Sequence, residues 1–78
     1  MTTERELTFG EKACGVGFNP SQDKGVALIK EKYADIVDLL HDILVHADNG
    51  EVKRMLSVAI TETQTAQMWA VKAITWKF

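Results

Sequence analysis

From Val26 onward the chain holds no glycine or proline until Gly50, and apolar residues recur through that stretch at helical spacing. Val26, Ile29, Tyr33, Ile36, Val37, Leu40, Leu44 and Ala47 form one stripe, the pattern of an amphipathic helix with a single inward face. Asp48-Asn49-Gly50 reads as a turn in which Gly50 takes the left-handed conformation that stops a helix. A second helix is predicted over 51–75, with Val52, Met55, Leu56, Ala59, Thr63, Ala66, Ala70, Ala73 and Ile74 facing inward. A link this short makes the two helices run antiparallel. Each spans roughly 37 Å at ~1.5 Å per residue.

Residues 1–20 are interrupted by Gly10, Gly15, Gly17 and Pro20. They read as an extended arm whose Leu7, Phe9, Val16 and Phe18 can lie on another surface. Asn19-Pro20-Ser21 is a helix-start signal: either Ser21 caps, with Asp23 in the first turn, or Asn19 caps with Pro20 at the first helical position. The first long helix is therefore predicted over 21–47. The expected fold is all-α: one domain of residues 1–78, a two-helix hairpin with an N-terminal arm.

Such a hairpin cannot cover its own apolar surface. Val58, Ile60, Met68, Trp69, Val71, Trp76 and Phe78 fall outside the predicted inner stripe of the second helix, and Leu28, Leu39 and Ile43 outside that of the first. A helix apolar on all sides is buried on all sides. With only 78 residues, of which 46% are hydrophobic, the natural cover is further copies of the same chain. The expected state is a homo-oligomer.

Several function classes are disfavoured by what the chain carries. A formal net charge of −2 argues against general binding of DNA or RNA, which calls for a broad basic surface. The polar start MTTERELTF has no apolar signal core, and no apolar run reaches the ~20 residues of a membrane span. One cysteine, Cys14, excludes an intrachain disulfide and points to a reducing compartment. His41 and His46 diverge by about 140° on a helix, which does not suit a shared metal. Asp35, Asp38 and Asp42 read as a solvated face with His41 among them. Ser57, Thr61, Thr63 and Thr65 have no adjacent base, so no catalytic constellation is found and no cofactor is implied.

Two clusters suit an anionic, aromatic ligand. In the first, Phe18 follows Gly15-Val16-Gly17 beside the helix start, with Lys24, Lys30 and Lys32 beyond. An aromatic plane stacks on a base, while ammonium groups and helix-start N–H groups meet phosphate. A staple contact from Phe18 with solvated lysines fits the same spacing. In the second, Lys72 lies one turn from Trp69 and Trp76, where it either finds an anion or reaches solvent.

The run Gly15-Val16-Gly17-Phe18-Asn19-Pro20-Ser21, with Val26, Ile29-Lys30, Ala59-Ile60-Thr61 and Met68-Trp69-Ala70-Val71-Lys72-Ala73-Ile74-Thr75, resembles the phage anti-CBASS cyclic-nucleotide sponges. It is closest to the T-even-like form, and the hairpin is shared with the Thoeris anti-defence sponges. The resemblance extends from about Gly10 to Lys77. It implies a homohexamer of interlocked hairpins in the host bacterial cytoplasm that sequesters cyclic dinucleotides such as cGAMP, and cyclic trinucleotides at separate sites, without turning them over. Carried onto this chain, Phe18 stacks on a base and Asn19 and Ser21 are polar partners. Lys30 meets phosphate, with Lys32 in reserve. Trp69 and Lys72 mark the second site, where lysine replaces the arginine of some relatives and gives a point charge rather than a two-pronged contact. A different class of function also fits the sequence: a helical adapter that binds a host protein through its C-terminal aromatic face.

Overall fold

The computed structural model describes residues 6–78, and all regular structure among them is helical. Helix α1 covers Phe9–Cys14, α2 covers Lys24–His46 and α3 covers Gly50–Ile74. The two long helices are antiparallel. Val26, near the start of α2, shares a cavity wall with Val71 and Thr75 at the end of α3. Ala34 and Val37 share a cluster with Ile60 near the middle.

The stretch predicted as an extended arm contains α1. Its start is built by Thr8 and Glu11. The Thr8 hydroxyl accepts from the Glu11 backbone N–H at 3.1 Å, and the Glu11 carboxylate accepts from the Thr8 backbone N–H at 2.8 Å. This reciprocal cap satisfies two backbone donors that a helix start otherwise leaves open. Gly15 ends the helix at φ 62°, ψ 45°, where a side chain is disfavoured. Gly10, read in the sequence as a breaker, is a contact residue. A methyl group added there would overlap the Ala34 carbonyl oxygen and come within 2.8 Å of the Asp38 carboxylate carbon.

Asp38 anchors α1 to α2. Its carboxylate accepts from the Gly10 backbone N–H and from the Thr8 hydroxyl, each at 2.7 Å. The Phe9 ring stacks on His41 with centroids 3.9 Å apart. Asp38 and His41 therefore leave the solvated face expected of them.

The start of α2 shifts too. Asp23, rather than Ser21 or Asn19, is the cap, accepting from the Gly25 and Val26 N–H groups at 2.6 and 3.2 Å. Asn19 and Ser21 brace the preceding turn instead. Ser21 donates to the Asn19 side-chain oxygen at 2.8 Å, and Asn19 donates to the Asp23 carbonyl at 3.1 Å. Gln22 completes that turn at φ 56°. At the other end, α2 stops at His46, and Asn49 caps α3 by accepting from Glu51 and Val52 at 2.9 and 3.0 Å. Gly50 thus opens α3 rather than closing α2.

The predicted stripe of α2 mostly faces inward, with Val26 and Val37 buried and Tyr33, Leu40 and Leu44 packed against the core, whereas that of α3 holds only in part. In α2 the buried row is Val26, Lys30, Ala34 and Val37; Ile36 points outward. In α3 it is Ile60 and Gln67, whereas Val52, Met55, Ala66 and Ala73 are exposed. Helix α1 lies against α2 and reaches α3 through Gln64, whose amide nitrogen donates to the Ala13 carbonyl at 3.1 Å. Cys14 of α1 joins Ala34, Val37 and Ile60 in one buried cluster. The expected surplus of apolar surface is present: Phe18, Leu39, Met68, Trp69, Trp76 and Phe78 are all exposed.

Docking of α1 should fail if its closest approach is blocked. Gly10→Ala is expected to lower stability in urea unfolding by about 1–3 kcal/mol, the usual cost of overpacking. Gly17→Ala faces open space and should change stability by less than about 0.5 kcal/mol.

Candidate functional site

The Lys30 side chain runs inward from α2 and is 7% exposed. Its ammonium donates to the Gly15 carbonyl at 3.1 Å and to the Phe18 carbonyl. It also lies 5.5 Å from the centroid of the Phe18 ring, within the range of a cation–π contact. An ammonium has three N–H donors, so these two carbonyls leave one. The loop 15–18 is thereby pinned to α2, and the Phe18 ring is held at the surface, 71% exposed.

Phe18 and Lys30 form part of the walls of two cavities. The larger is about 650 Å³ and takes in side chains from α1, α2 and α3, among them Lys12, Thr61, Gln64, Gln67 and Met68. Its lining includes two lysines, Lys12 and Lys30, and no carboxylate. The smaller, about 260 Å³, is framed by Phe18, Asn19, Pro20, Ser21, Val26, Lys30, Val71 and Thr75. A third space of about 420 Å³ between α1 and α2 is lined by Glu11, Glu31, Asp35 and Asp38, a wall that repels an anion.

The structure thus brings Phe18, Asn19, Ser21 and Lys30 together. Lys32 is exposed and lines none of these spaces. Trp69 and Lys72 also meet: the Lys72 ammonium lies 5.3 Å from the Trp69 ring centroid and 5.9 Å from that of Trp76. They line neither cavity beside Phe18 and form a separate exposed cluster, while their neighbours Met68 and Val71 face the larger cavity.

Lys12, Thr61, Gln64 and Gln67 were not found from the sequence. The available signal was the row Ile60, Gln64, Gln67, Val71, which keeps helical spacing through two glutamines. Counting only apolar residues hides it.

The groups along the larger cavity are an aromatic face, amides, hydroxyls and ammonium ions. Such groups are able to hold a ligand by stacking, hydrogen bonding and charge. Cys14 lines the same space, but burial pushes its thiol pKa up and nearby Asp38 adds to the rise against the opposing pull of Lys30. It stays a protonated thiol near neutral pH, a poor nucleophile. Among the described residues no group of three or more His, Cys, Asp or Glu side chains is arranged to hold a metal ion.

The burial of Lys30 separates it from Lys32 by experiment. Lys30→Met leaves the Phe18 carbonyl without its donor, while the Gly15 carbonyl keeps the Phe18 N–H at 2.9 Å, and is expected to cost about 1–3 kcal/mol in equilibrium unfolding. Lys32→Met should stay within about 0.5 kcal/mol.

No curated protein and no solved structure gave a match to the chain. The family model of the Acb2/Tad1 hairpin domain matches residues 12–75, a span that takes in the end of α1, the Phe18 loop and both long helices. The chain belongs to the Acb2/Tad1 hairpin-domain family of anti-defence cyclic-nucleotide sponges.

Proposed function

We propose that this protein binds cyclic dinucleotides such as cGAMP and sequesters them from the effector of a CBASS defence system. The observation that carries the reading is the basic cavity beside Phe18: an exposed aromatic face, two lysines and no carboxylate in its lining. A cyclic dinucleotide has flat bases and two phosphates, and each finds its complement there. Phe18 stacks on a base. Lys30 keeps one N–H for a phosphate while its other two hold the loop in place, and Lys12, whose ammonium also lies 3.9 Å from the Glu6 carboxylate, stands beside the cavity as the second lysine. Asn19 and Ser21 fix the turn that presents the ring and border the smaller cavity.

Binding alone suffices for this role. A sponge removes its ligand by mass action and has no turnover, so tight binding and abundance replace catalysis. The reading further takes the working form as a homohexamer in the host cytoplasm. Trp69 and Lys72 form its second site, for cyclic trinucleotides. No helix among the described residues is long and apolar enough to cross a membrane.

A second reading, the adapter that grips a host protein, draws support from the exposure of Trp69 and Trp76. Tryptophan fluorescence of the wild-type protein separates the two. Emission typical of buried indole in the absence of any partner agrees with self-assembly, and solvent-exposed emission agrees with a free docking face.

Calorimetric titration with a 3′,5′-linked cyclic dinucleotide tests the sponge. The expected result is binding, with ligand recovered intact after denaturation and affinity weakened by about 1–3 kcal/mol in Phe18→Ala, the usual worth of a base–aromatic stack. Recovery of a linear product would point to a phosphodiesterase.

A further inference from the structure

Gln67 has an environment that folding alone does not explain. It occupies the inner row of α3 and is 5% exposed. A glutamine buried to that degree ordinarily has its amide hydrogen-bonded within the protein. Gln64, less than one turn away, satisfies this rule through the Ala13 carbonyl. Gln67 has no hydrogen-bond partner among the described residues. Yet no side-chain polar atom among them is both shut off from solvent and unpaired. The Gln67 amide therefore keeps an opening, and the space it lines is the 650 Å³ cavity beside Phe18. Simple core filling at this position is served better by methionine or leucine, which carry no polar group to desolvate.

The geometry points to Gln67 as the residue that reads the hydrogen-bonding edge of the purine base stacked on Phe18. The inference rests on the sponge reading and names the part of the ligand that the cavity recognises. A base lying flat on the Phe18 ring turns its edges toward the other walls, and Gln67 forms one of them. Its amide presents one acceptor and one donor side by side in a rigid plane. That pair complements the N6/N7 edge of adenine, and equally the N1/O6 edge of guanine. It does not complement the two adjacent acceptors O6 and N7 of guanine. The lysines supply charge for phosphate, which leaves the neutral amide for the base.

The test is a two-by-two titration by calorimetry. The proteins are wild type and Gln67→Met, which keeps the volume and removes the amide. The ligands are a cyclic dinucleotide of adenosine and guanosine, and its analogue with unsubstituted purine in place of both bases. The expected loss is about ten- to a hundredfold for Gln67→Met with the natural bases, the range of one good bidentate pair. The analogue should bind wild type correspondingly weakly, and the substitution should weaken it little further. Unchanged affinity of Gln67→Met for the natural ligand overturns the assignment, as do equal losses with both ligands, because the amide then acts on something other than the base edge. Should Gln67→Met fail to fold, wild type alone decides, and equal affinity for the two ligands overturns the assignment. Wild type binding neither ligand sinks the sponge reading itself, an outcome distinct from binding that ignores Gln67.

Discussion

An antiparallel pair of helices has one inner face, and in this chain that face is narrow. The buried apolar residues are Cys14, Val26, Ala34, Val37 and Ile60, most of them small. The short helix α1 widens the core by lying across it, which it does only because Gly10 admits the Ala34 carbonyl and Asp38 ties down the Gly10 and Thr8 donors. Even so, the largest apolar side chains of α3 remain outside. A chain of this size rarely stabilises itself on one small core. The outward residues Leu28, Leu39, Ile43, Met68, Trp69 and Trp76 are thus the surface against which other copies are expected to pack.

Two polar residues, Lys30 and Gln67, stand inside this narrow core. Lys30 fills a position in the inner row where a leucine would otherwise sit. Its stem packs and its ammonium is used up almost entirely by the loop carbonyls of Gly15 and Phe18. One side chain thereby links α2, the loop after α1 and the exposed aromatic ring. In the proposed site, structure and binding share that lysine: the contact that fixes the loop also sets a positive charge beside the face of Phe18. Opposite it, Gln67 closes the row on α3.

The long elements were legible in the sequence because their apolar period and the Asp48-Asn49-Gly50 link are local signals. The inward face of α2 was legible as well, Ile36 excepted, and that of α3 only in part. Ile60 was assigned to the outside and Met55 to the inside; Ile60 shares its buried cluster with Cys14 of α1, which a two-helix picture leaves out. The arm was read as extended because Gly10 breaks helices in general, although Thr8 and Glu11 stand at capping-box spacing and Gly15 at a stop. The Phe18 loop was legible from its glycines and its helix-start signal, and Lys30 from its match to the family motif. Lys30 lies four residues from both Val26 and Ala34 and so shares their buried row, while Lys32 falls on the outer face. Lys12 and Gln67 join the site across the fold, and nothing in their own neighbourhoods marks them.

Copies of this chain are proposed to cover one another's apolar faces, and their assembly to hold cyclic nucleotides. Native mass spectrometry of the wild-type protein, with and without a cyclic dinucleotide, tests both in one measurement. The expected result is a hexamer with no stable single chain, and added mass in whole numbers of intact ligand. A monodisperse single chain that takes up no ligand would contradict both.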